Sequence, residues 1–156
     1  MFNPYSGNLE AKLPNLQWVS PADLYGEGNY ELFYENTSPY DIDQGALGNC
    51  YFLAAAAALA EHPQVLKDLF HETEVSADGF YTIDLFIEGQ RTPIVVDHYV
   101  PLHPYSNIPA FARSQQTGEL WVQLLEKAYS KMTGSYERTE LGTNYEAIIA
   151  LTGAPA

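Results

Sequence analysis

The sequence predicts an α+β fold in which helices outweigh a small antiparallel hairpin, on three observations. Cys50 to Ala60 is an apolar run entered through a glycine-punctuated turn. Phe80 to Val96 alternates apolar and polar residues about a central glycine. Glu119 to Met132 repeats large apolar residues at three- and four-residue steps, the period of an amphipathic helix.

Residues 1–43 hold four of the ten prolines and no sustained period, so they read as an irregular arm laid over a core at 44–156. Trp18, Leu24, Leu32 and Phe33 are its expected anchors, since large apolar groups tack a coil to a core. Gln44 to Gly48 is a turn, and Asn49 has the chemistry of an N-cap for the helix that follows. That helix, Cys50 to Ala60, is apolar nearly all round and is expected to be buried, with His62-Pro63 closing it. Gln64 to Phe70 predicts a second short helix with Val65, Leu66, Leu69 and Phe70 on one side. Phe80 to Glu88 predicts a strand with Ile83, Leu85 and Ile87 on one face. Gly89-Gln90, glycine first, suits a type II′ turn, and Arg91 to Val96 returns as the partner strand with Pro93 at an edge. His98 to Thr117 is a polar, proline-broken loop. The Glu119–Met132 helix is stopped by Gly134, and Thr143-Asn144-Tyr145-Glu146 has the form of a capping box opening a last helix that ends at Gly153.

Seven Lys+Arg against twenty Asp+Glu leave a formal charge of −13 on 156 residues. Such a field repels phosphate backbones, so nucleic acid is not an expected partner. The apolar run at 51–60 stops at Glu61, too short to span a bilayer, so no membrane insertion is expected. Met1-Phe2-Asn3-Pro4 lacks the basic start and apolar stretch of a secretory leader, and Cys50 is the only cysteine. A cytoplasmic location is the expectation.

Cys50 stands at the head of its helix, where unpaired N–H groups and the positive dipole end stabilise a thiolate. Thiolate attack on a carbonyl also needs donors for the oxyanion. The backbone N–H of Cys50 and the side-chain amide of Gln44 are the candidates, with Gly45 and Gly48 letting the chain fold tightly enough to bring that amide near the sulfur. On spacing alone a lone cysteine before an apolar helix is more often a buried packing residue than a nucleophile.

The segment Gln44-Gly45-Ala46-Leu47-Gly48-Asn49-Cys50-Tyr51-Phe52-Leu53-Ala54-Ala55 closely resembles the active-site cysteine segment of calpain-type cysteine proteases. Glu119-Leu120-Trp121-Val122-Gln123-Leu124-Leu125-Glu126-Lys127-Ala128-Tyr129 with Gly134-Ser135-Tyr136-Glu137 is similar to the long helix after the hairpin in that family. Glu146-Ala147 and Leu151-Thr152-Gly153 resemble the close of its first core subdomain. The resemblance implies a papain-like half-domain, with Cys50 as nucleophile and Gln44 as oxyanion donor of an endopeptidase acting on protein substrates. It also implies a complementary half, in cis or in trans, that supplies histidine and asparagine. Ala156 falls where that half would begin, so the chain alone is expected to have little or no activity. His62 is about 18 Å from Cys50 along the helix, and nothing in the spacing directs His71, His98 or His103 toward the sulfur. Asn49 stands where aspartate is usual, Tyr51 where tryptophan is usual, and His98 where a second acidic residue is common.

The resemblance further implies calcium, held by Asp41, Glu146 and the backbone carbonyls of Tyr34 and Asn36, an oxygen-only set that suits a hard cation. Glu146 has a competing role as the third position of the Thr143 capping box. The alternative to a protease is a calpain-like scaffold without peptidase activity, its apolar face docking another protein.

Overall fold

The computed structural model describes residues 13–155; residues 1–12 of the expected arm, and Ala156, lie outside the described residues. In chain order the elements are β1 (Gln17–Val19), α1 (Pro21–Tyr25), a 3-10 turn (Pro39–Asp41), β2 (Ile42–Asp43), α2 (Cys50–Ala60), α3 (Pro63–Lys67), β3 (Phe80–Ile87), β4 (Gln90–Asp97), β5 (Val100–Leu102), β6 (Arg113–Ser114), α4 (Trp121–Thr133), a 3-10 turn (Glu137–Glu140) and α5 (Asn144–Thr152). The fold is α+β and agrees with a papain-like half-domain. None of the described helices is long and apolar enough to cross a membrane.

Helices α2, α4 and α5 and the β3–β4 hairpin enclose one apolar core. Tyr81, Ile83 and Leu85 alternate along β3 and are wholly buried, the period-two burial that seats a sheet face on helices. Leu120 at the N-cap of α4, with Trp121, Leu124, Leu125, Ala128 and Tyr129 within it, enters the same core, and Tyr129 stacks on Phe52 of α2 at 4.2 Å between ring centroids. Gly134 closes α4 in the left-handed region at φ 110°, and Gly153 closes α5 at φ 67°. The Thr143–Glu146 capping box forms in full.

Four readings of the sequence change in detail. Helix α2 is not buried all round: Cys50, Ala54 and Ala58, four residues apart, form an exposed stripe, and alanine methyls disguise it because they are apolar yet small enough to face water cheaply. The hairpin turn is Glu88-Gly89, with Ile87 opposite Gln90, and both residues have positive φ (50° and 75°); that is type I′ geometry, whose hand matches the strand twist. The arm is partly regular, because β1 pairs with β5 and β2 with β6, and the loop from His98 to Thr117 supplies those partners. These strands of two or three residues are too short to carry a visible period. Among the expected anchors Leu32 is buried outright, whereas Trp18, Leu24 and Phe33 are half-buried.

Candidate active site

Residues 44–49 run from β2 to the head of α2 and are seated from beneath by a second apolar cluster of Leu13, Leu47, Ala110, Phe111 and Tyr136. The Ala46 N–H donates to the Ala110 carbonyl at 2.8 Å, fixing the turn to a strap formed by residues 110–112. A Cβ on Gly45 would lie 2.3 Å from the Phe111 carbonyl carbon, so only glycine permits this approach. Gly48 has no such need, since a Cβ there meets only the Glu140 side chain at 3.7 Å. Gly45→Ala is therefore expected to lower unfolding free energy by roughly 1–3 kcal/mol, and Gly48→Ala to stay within about 0.5 kcal/mol. Urea denaturation of both variants checks the contrast.

Cys50 is exposed at the first helical position. The Asn49 carbonyl accepts from the N–H groups of Phe52 and Leu53, at 2.9 and 3.2 Å. Among the described residues the Cys50 N–H has no protein acceptor. Gln44 is exposed on the same turn, and its amide donates to the Leu47 carbonyl at 2.6 Å, leaving a second amide N–H for another acceptor. The arrangement thus provides a solvent-facing thiol at the helix head, a Cys50 N–H without a protein acceptor among the described residues, and one spare N–H on the Gln44 amide of the preceding turn.

Asn49 occupies the N-cap position but makes no capping bond. Its side chain is fully buried and turns away from its own helix, donating through Nδ2 to Glu126 Oε1 of α4 at 2.7 Å. Glu126 Oε2 accepts from the Ala112 N–H at 3.1 Å. Burial pushes the Glu126 carboxyl up to about 7, against the lowering effect of those two hydrogen bonds. A signal for this carboxylate existed in the sequence: Glu126 falls four residues after Val122 and three before Tyr129, on the face of the helix that meets the core.

The four histidines sit on other segments than the head of α2, His98 lining one cavity with Glu126. His62 caps α3 by position, beyond the far end of α2. His71 Nε2 pairs with Asp84 Oδ1 at 2.9 Å on the hairpin, beside Arg91. The His98 ring packs under Gly79 and edge-on to Tyr99. The His103 N–H donates to the Ile108 carbonyl. Among the described residues none bonds to Cys50.

The residues expected to bind calcium divide into two groups. Asp41 is buried, its Oδ2 accepting from the Ser38 N–H at 2.6 Å and from the Gln116 amide at 2.9 Å. Gln116 also reaches the Asn36 carbonyl at 3.4 Å, and the Tyr34 carbonyl accepts from the Thr37 hydroxyl at 2.9 Å. Asp41 and the 34–37 loop are thereby linked through Gln116. The carboxylate bound to that loop is Glu119, which sequence reasoning left out: its Oε1 accepts from the Tyr34 N–H and the Thr37 hydroxyl, at 2.9 and 3.1 Å. Glu146 is exposed at the head of α5, where its Oε2 accepts from the Thr143 N–H at 2.8 Å. Asp41 with the two carbonyls is a hard-oxygen set that fits calcium in kind, while Glu146 is engaged in its cap. Among the described residues no three His, Cys, Asp or Glu side chains converge as a metal cluster.

A family model described as calpain family cysteine protease matches residues 3–156. The chain is 38% identical over 155 residues to Calpain-type cysteine protease ADL1 of Oryza sativa subsp. japonica, an alignment covering 97% of this chain and 7% of that protein. It is 37% identical over 141 residues to Calpain-type cysteine protease DEK1 of Arabidopsis thaliana, covering 88% of this chain and 6% of the relative. With human Calpain-14 the identity is 34% over 152 residues, covering 95% of this chain and 22% of the relative. The chain spans less than a quarter of the length of each of these relatives. With an exposed cysteine heading a core helix and a family match over nearly its whole length, the chain belongs to the calpain family of cysteine proteases.

Proposed function

We propose that this chain is the cysteine-bearing half of a calcium-regulated endopeptidase core, working on protein substrates together with a complementary half that supplies histidine and asparagine. The observation that carries the reading is Cys50, exposed at a helix head whose first N–H is uncommitted and whose preceding turn holds the Gln44 amide. The Cys50 thiolate attacks the peptide carbonyl, and the oxyanion is held by the Cys50 N–H and the Gln44 amide. The carbon–nitrogen bond breaks, the amine leaves with a proton from the imidazolium of the other half, and water then hydrolyses the thioester. Among the described residues no histidine bonds to Cys50 to perform the proton transfers, so the chain alone is expected to have little or no activity.

Mixing this chain with a complementary half and following cleavage of an unfolded protein substrate tests the reading. Cleavage by the mixture and none by either half is expected. A mixture of two folded halves that associates yet cleaves nothing would favour the scaffold alternative.

Calcium belongs to the same proposal, bound by Asp41 and the carbonyls of Tyr34 and Asn36. Glu119 is the carboxylate already hydrogen-bonded to that loop, whereas Glu146 of the expected set would first have to leave its capping box. The ion would offset negative charge and stiffen the loop that runs through β2 into Gln44. Calcium at a hundredfold excess over Kd is expected to stabilise the chain by about 2.7 kcal/mol, read as a rise in Tm. Asp41→Asn should remove the rise; an unchanged Tm for the unmodified chain would retire the site.

A further inference from the structure

An asparagine at an N-cap ordinarily turns its side-chain oxygen onto the N–H groups of the first helical turn. Asn49 does not. Its amide is buried against α4, 2.7 Å from Glu126 Oε1 and 3.5 Å from Thr139 Oγ1, and among the described residues its buried Oδ1 has no partner. An orphaned buried oxygen is a local cost, and capping its own helix would relieve it. Glu126, itself 1% exposed, is anchored on its other side by the Ala112 N–H, so the bond that draws Asn49 inward comes from a fixed point on α4. We infer that Glu126 is a positioning residue for the cysteine: it withholds the Asn49 side chain from the helix head and so leaves the first-turn N–H groups that the Asn49 carbonyl does not take, those of Cys50 and Tyr51, to the Cys50 sulfur and the oxyanion. The inference rests on the reading of Cys50 as nucleophile, but its test reads the thiol directly and needs no peptidase activity.

Cys50 is the only cysteine, so the rate of alkylation by iodoacetamide reports this position alone. Glu126→Met frees Asn49 to cap, and alkylation of the folded chain at pH 7.5 is expected to slow roughly threefold or more, the scale of one helix-end interaction. Adding Asn49→Ala to that variant removes the competing cap and should restore the rate. Asn49 variants give the same contrast where Glu126→Met fails to fold. The serine of Asn49→Ser is too short to span to Glu126 but is a good cap, so it should slow alkylation, whereas Asn49→Ala should not. If a cap at the helix head does not affect the thiol, serine and alanine at position 49 give equal rates; if Glu126 has a merely structural role, Glu126→Met does not slow alkylation of the folded chain. Equal rates for those two variants, or a double variant as slow as Glu126→Met alone, would overturn the inference. Loss of peptidase activity with these alkylation rates intact would instead count against the proposed function.

Discussion

Cys50→Ser should reduce cleavage by the reconstituted core by on the order of 10³-fold or more, with unfolding free energy changed by no more than about 0.5 kcal/mol. The two halves of that expectation have separate causes. Cys50 is exposed, and among the described residues its side chain has no hydrogen-bond partner, so exchanging sulfur for oxygen breaks no contact. Serine is also acceptable at a helix start. The chemistry is different, because a helix end stabilises an anion by up to about 2 kcal/mol, which helps a thiol ionise but leaves an alcohol essentially protonated. A serine nucleophile needs a base poised to take its proton in the attack itself. The proposed core, arranged around a thiolate–imidazolium pair, would not offer that geometry to a shorter oxygen. Cleavage rate and urea midpoint, measured on the same preparation, check both halves. A variant that still cleaves at a tenth of the original rate would mean that Cys50 is not the attacking atom. A variant that unfolds would mean that the sulfur has a packing role its exposure does not suggest.

The parts of this molecule legible in the sequence are those fixed by local chemistry. The Thr143–Glu146 box forms because donor and acceptor lie three residues apart on one turn. The β3–β4 pairing follows from alternation around a glycine, and α4 from its apolar period. Cys50 at the head of α2 was legible because Gly48-Asn49 precedes an unbroken apolar run. What the sequence concealed depends on partners far along the chain. Asn49 reads as a cap until Glu126, seventy-seven residues later, is seen to claim its amide. Glu119 reads as the polar start of a helix until its carboxylate is found on the loop at Tyr34 and Thr37. Gly45 and Gly48 look interchangeable, and only the Phe111 backbone distinguishes them. The turn type is hidden for a smaller reason: the register of β3 against β4 decides which two residues form the loop, and a shift of one makes glycine the second of the pair.

Glu126 carries the second large expectation, a dependence of stability on pH. Its carboxyl ionises at about 7 in the folded chain against 4.5 for an unburied glutamate, because burial disfavours the charged form more than the Asn49 and Ala112 hydrogen bonds favour it. The folded state therefore binds this proton more tightly than the unfolded state does. The stabilisation from that proton is fully present below pH 4.5, declines as pH rises through about 7, and is absent above. The full swing corresponds to about 3 kcal/mol. Other groups oppose it, since Asp84 is lowered by Arg91 and His71 in spite of its burial, and its contribution is lost as pH falls through its folded value. The clean measurement is accordingly a difference between two proteins. Glu126→Gln mimics the protonated acid in shape and charge: its oxygen can accept from the Ala112 N–H, and its amide can donate to the Asn49 oxygen once that amide turns over. At pH 4.5 the variant and the parent should be equally stable. At pH 8.5 the variant should be more stable by about 3 kcal/mol, read from urea curves at both values. A constant difference across that range would mean that the carboxyl is hydrated in solution. Because the same substitution still holds Asn49 inward, it should leave alkylation of Cys50 unchanged, which separates what this carboxyl costs the fold from what it does for the helix head.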